Sequence, residues 1–313
     1  MSSGKQSHWL STAFGGALLA AMLGMAVGVY LEFFTPQKRQ VRACLREADE
    51  KCEAAIEPRL RSVSEVLAKG RKGAKPFAED ALSMRGKWNA LVGLFDGRSH
   101  KEYVTDAFTR HVFSSDELRA AIEGAVRGYL LDIEGIEAEM LVRLRADLAT
   151  GGAGLPHLGT DEAFAQEYQR LLTAVATDLQ TDLGLDVARL VAGEVVSRVA
   201  SQALTAAATQ MGISLTVMGS STAATLGVGA VVGIIADYIV GLVLEALGYD
   251  AAGEVQNRVE ASLNKVQTAL LQEHSFLPWE KTGTLRVRLQ QLHESRSQVR
   301  RAAVYEYLKG GDK

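Results

Sequence analysis

Proline is scarce, with five residues in 313. Each proline removes a backbone donor and breaks a helix interior, so a chain this poor in it can run long helices without interruption. Aromatic residues make up only 6%, and no alternating strand pattern of convincing length appears, which argues against a sheet-built core. Two cysteines cannot supply a disulfide framework. A net charge of −3 leaves no footprint for nucleic acid. The phosphate-loop, HExxH, CxxC and GxSxG patterns are all missing, and with them the usual signatures of nucleotide, metalloprotease, redox and serine-hydrolase chemistry. The six histidines are scattered (His8, His100, His111, His157, His274 and His293), and none stands three or four residues from another. No catalytic residue, metal site or cofactor is therefore expected, and the chain does not read as an enzyme.

What is present points to an all-α protein. Hydrophobic residues at 47% and charged residues at 23% suit a folded chain. Cys44 and Cys52 lie eight apart in a segment that reads as helix. Their Cα atoms would then be about 12 Å apart, beyond the roughly 7 Å that a disulfide can span. Free thiols are expected, which favours a reducing compartment.

Residues 1–8 form a short tail, and residues 9–34, "WLSTAFGGALLAAMLGMAVGVYLEFF", carry no charge until Glu32. A bilayer needs about 20 apolar residues, so 9–34 predicts a transmembrane anchor. Trp9 at one end and Tyr30, Phe33 and Phe34 at the other suit the two interfaces. The run is too long for the apolar part of a signal peptide. Lys38, Arg39, Arg42 and Arg46 follow the span and only Lys5 precedes it, which places the bulk of the chain in the cytoplasm.

Residues 37–149 read as a helical domain or the first half of one. Within it, helix is expected from 37 to 68 with an interruption at Glu57-Pro58. "KGRKGAKP" at 69–76 reads as a basic linker, and helices are expected at 78–95, 99–112 and 114–149. Ser114 or Ser115 can cap the last of these. Its residues Ile122, Val126, Tyr129, Ile133, Ile136, Met140 and Leu144 recur at helical steps. The stretch 150–160, "TGGAGLPHLGT", predicts a hinge loop. Residues 161–309 read as a second helical region holding an apolar hairpin at about 186–247. After it, Val255, Val259, Leu263, Val266 and Leu270 mark one face of a helix over 251–272, and a basic helix occupies 284–309. That last helix reads as solvent-facing and could pair with acidic residues of 114–149. There, Asp132, Glu134, Glu137 and Glu139 read as a solvated acidic face.

The hairpin holds the question of function. "GVGAVVGIIADYIVGLVLEALG", 227–248, is very apolar yet carries Asp237 in its middle. At steps of four it reads Gly229, Gly233, Asp237, Gly241, Glu245. The N-terminal span at the same steps reads Gly16, Ala20, Gly24, Gly28, Glu32. Small-residue ridges let helix backbones approach closely, as membrane helices do, so both are expected to be packing surfaces. Asp237 and Glu245 are expected to be intramembrane or buried polar residues, facing protein or water instead of lipid. The hairpin inserts in or packs against the membrane beside the anchor, forms the centre of a soluble bundle, or supplies a lone second span that puts the C-terminus across the membrane from 37–200. These features predict a membrane-anchored helical scaffold or subunit of a membrane-associated assembly. Its partners would be the lipid bilayer and either another protein or further copies of this chain. The alternative is a membrane-inserting or channel-forming protein using 203–247, with Asp237 in a polar path.

Overall fold

The computed structural model describes residues 36–83, 98–150, 166, 168–170, 192–213, 227–246, 252–272 and 283–310. The expected anchor, 9–34, lies outside them. Among the described residues every regular element is an α-helix: α1 (Pro36–Ala54), α2 (Ile56–Ala81), α3 (Arg98–His111), α4 (Ser115–Thr150), α5 (Ala192–Gln210), α6 (Val228–Ala246), α7 (Ala252–Leu271) and α8 (Leu285–Gly310). The all-helical bundle expected from the sequence is what the chain forms.

Local chemistry sets the ends. Pro36 opens α1, where its missing N–H costs nothing. The break expected at Glu57-Pro58 falls at Ala55, which leaves Pro58 in the first turn of α2. Ser114 Oγ accepts the Glu117 N–H at 3.0 Å, so it is Ser114 that caps α4. Thr284 Oγ1 accepts the Val287 N–H at the start of α8 in the same way. The first arm of the hairpin stops at Gln210. Gly212 adopts φ 79°, the Ile213 N–H bonds the Ala208 carbonyl, and the Gly212 N–H bonds that of Thr209. This double closure, with glycine in the left-handed position, ends a helix.

The stretch 69–76 is not a linker but part of α2. Its small residues form the buried side, since Gly70, Gly73 and Ala74 are covered while Lys69, Lys72 and Lys75 stay exposed. Composition alone hid this, because glycine normally weakens a helix. A Cβ on Gly73 would sit 1.7 Å from the His111 carbonyl oxygen, so only glycine lets α2 lie against the end of α3. Phe77, Phe108 and Phe113 then meet edge-on, at centroid distances of 5.7 and 5.3 Å.

The chain divides into two compact units, residues 1–48 with 137–165 and residues 49–136 with 166–313. In the first, Val41, Leu45, Ala48, Met140, Leu141 and Leu144 are buried. Cys44 meets Asp147 and Glu47 meets Arg143, so the two helix segments run antiparallel. In the second, α7 is the central element and packs against α2, α5, α6 and α8, while α3 lies against α2 and α6. The five residues expected to mark the inner face of α7 are all fully buried. Arg59 on Asp132 and Lys69 on Glu117 join α2 to α4. Arg286 joins α8 to Glu57 of α2 and to the last carbonyl of α7, at Leu271.

The Gly73 contact yields a direct test. Gly73→Ala should destabilise the chain by about 1–3 kcal/mol, because backbone must move to admit the methyl group. Gly135→Ala, at an exposed position of α4 with nothing within 4 Å, should stabilise it by roughly 0.5–1 kcal/mol. Denaturant unfolding of the two variants reads the contrast.

Candidate functional site

Helix α6 presents two unlike faces. Val228, Val231, Val232, Ile235, Ile239, Val240 and Val243 recur at steps of three and four and are buried in the core of the second unit. The glycine ridge lies on the other side. A Cβ on Gly229 would meet only the flexible end of Arg119, and those on Gly233 and Gly241 would meet nothing within 4 Å. The expected packing role of Gly229, Gly233 and Gly241 is therefore not exercised among the described residues. Branched side chains fill the bundle interior, and the small residues are left facing outward. Gly16, Ala20, Gly24 and Gly28, the other expected ridge, lie outside the described residues.

Burial inside the bundle is also not the setting of Asp237 or Glu245, because both are exposed. The Asp237 carboxylate stands 3.6 Å from Lys101 Nζ of α3, with the two side chains 60% and 53% accessible. An ion pair this open contributes about 0–1 kcal/mol. Helix α5, the other arm of the expected hairpin, packs against α6. Residues 214–226, which join the two arms, lie outside the described residues.

A second polar constellation was missed by sequence reasoning. The basic helix α8, expected to face solvent, carries Arg300 at 0% exposure. Its guanidinium donates from Nη2 to Asp49 Oδ1 at 2.7 Å and from Nη1 to Cys52 Sγ at 3.6 Å. Arg301 Nη2 donates to the other oxygen of Asp49 at 2.5 Å. Burial by itself would raise the Asp49 pKa. Hydrogen bonds from Arg301 and Ser297, with the charges of Arg300 and Arg301, outweigh burial and hold the carboxyl below its ordinary range. The partner of the basic helix is thus α1, 251 residues away, instead of the acidic face of α4. Burial pushes the His293 pKa down. Burial likewise raises Tyr129, whose hydroxyl has no hydrogen-bond partner among the described residues.

The remaining candidates fall into structural roles. Burial and then a hydrogen bond to Asp147 push the Cys44 thiol up to about 11, and Cys52 is fully buried. Neither is placed as a nucleophile. In the acidic group of α4, Asp132 is clamped by Arg59 and Glu139 by Arg143, Glu134 is exposed and Glu137 is buried, so they do not form one solvated face. Among the described residues no three His, Cys, Asp or Glu side chains are grouped to hold a metal ion. The structure thus offers a half-covered apolar helix and a buried ion pair, and the second of these is a device of stability.

Asp49→Asn or Arg300→Met should each cost about 3–5 kcal/mol, since each strands one member of a buried pair, and the double variant should cost much less than the sum. Because the folded pKa of Asp49 is depressed, its contribution is complete above the unfolded value near 3.9 and is lost as pH falls through the folded value. Unfolding free energies measured from pH 7 down to pH 3 should therefore fall less steeply in Asp49→Asn than in the unsubstituted chain.

Comparison with protein-family models, with curated proteins and with solved structures returns no match, so the functional reading rests on the residues and geometry of this chain.

Proposed function

We propose that this chain is a membrane-anchored helical scaffold, or a subunit of a membrane-associated assembly, without catalytic chemistry of its own. The observation that carries the reading is α6. Residues Val228–Glu245 are long and apolar enough to cross a bilayer, yet only 39% of them are buried inside the chain. A core helix of a soluble bundle is normally covered on more of its circumference. The uncovered side carries the glycine ridge, a surface on which another helix or the membrane can lie closely. The uncharged run at 9–34 supplies the anchor in this reading. Its flanking charges put the bulk of the chain in the cytoplasm.

The anchor is tested by fractionation. The chain should stay with membranes through high-salt and carbonate washes, with Met1–Ser7 still attached, and a soluble form starting near Val27 would refute it. Topology is best read from an introduced thiol, because Cys52 is buried and Cys44 has a raised pKa. Glu65→Cys, at an exposed site on α2, should escape an impermeant maleimide in intact cells and react after permeabilisation. In reconstituted bilayers a scaffold should self-associate without conductance, whereas ion conductance lost in Asp237→Asn would establish the channel alternative.

A further inference from the structure

Arginines bind the second unit together by closing on acceptors of other helices. Arg59 reaches Asp132, Arg286 reaches Glu57, Arg300 reaches Asp49, and Arg258 reaches the Leu242 carbonyl. Arg288 is different. Its Nη1 donates to the Gln291 amide oxygen of its own helix at 3.1 Å, while its buried Nε has no acceptor among the described residues. No carboxylate among them comes within ion-pair distance. Burial pushes its pKa down, and no charge among the described residues offsets it.

The position aggravates the cost. Arg288 lies in the first turn of α8, which contains no acidic residue and where the helix dipole already disfavours positive charge. The facing wall is small, since a Cβ on Gly283 would stand 3.1 Å from Arg288 Nη2 and 3.0 Å from Ala206 Cβ of α5. The α5–α8 junction thus holds a guanidinium that no carboxylate among the described residues neutralises and whose Nε lacks an acceptor among them. Arg288 is partly buried, and withdrawing a charge from water without a counter-charge is unfavourable, so an anion would supply what the described residues lack.

We propose that the α5–α8 junction binds an oxyanion of the phosphate class on the Arg288 guanidinium, as a free ion or as a lipid headgroup. A planar fork of donors is suited to two oxygens of one such group. This goes beyond the scaffold reading and does not depend on it, because the test measures the folded chain itself.

Thermal unfolding of the full-length chain in detergent is followed as inorganic phosphate replaces chloride at constant ionic strength. A ligand that binds only the folded state should raise the midpoint saturably, by a few degrees. Arg288→Met should abolish the rise while unfolding no earlier than the unsubstituted chain in chloride, because it removes an uncompensated charge. Arg288→Lys should retain a weaker response, lacking the fork. If phosphate is silent but vesicles of anionic phospholipid, compared with neutral ones, raise the midpoint only when Arg288 is present, the phosphate is lipid-borne and the proposal stands. Equal responses of Arg288→Met and the unsubstituted chain to both probes would overturn it. So would a destabilisation by Glu273→Gln or Glu280→Gln that vanishes in the Arg288→Met background, because the counter-charge would then come from the chain itself.

Discussion

A guanidinium withdrawn from water has to be met by charge, and within the second unit the meeting of Arg300 with Asp49 ties α8 to the C-terminal end of α1. Apolar burial is non-directional and would tolerate many alignments of α8. The pair does not, because its donors must reach one carboxylate that also receives Arg301. Register is thereby fixed where the small and branched side chains of the core leave it loose. The clamps Arg59–Asp132 and Arg286–Glu57 repeat the principle nearer the surface, where water screens them and each contributes less.

Much of this architecture was legible in the sequence. The apolar steps of α4 and α7, the Ser114 cap and the absence of strands are local properties, and local periodicity reads them directly. What escaped was tertiary. Arg300 looks like a surface residue in a basic helix until one sees that Leu292, Val299 and Ala303 share its buried side. That alignment was the one available signal, but charge composition outweighed it. The glycines at 70 and 73 read as punctuation because nothing in the sequence reveals that Val112 would lie against the first and the His111 carbonyl against the second.

Helix α6 illustrates a related ambiguity. Periodicity identified the helix, and a ridge of small residues along it was real, but its direction was not given. The buried side turned out to be the branched one, Val231, Val232, Ile235 and Ile239. Val232 is therefore a core residue and Gly233 an open one. In a segment this apolar all round, hydrophobicity cannot name the inner face, and only the neighbouring helices α3, α5 and α7 decide it.

The two cysteines bear on the cell compartment in a way their number does not. With its pKa raised to about 11, Cys44 holds little thiolate at neutral pH, the form that attacks disulfides and oxidants. Cys52 is sealed against Arg300. Thiols in these states pass slowly through oxidation wherever the chain resides. Their reduced condition would thus persist in an oxidising space, and the scarcity of cysteine is no guide to which side of a membrane the helices occupy.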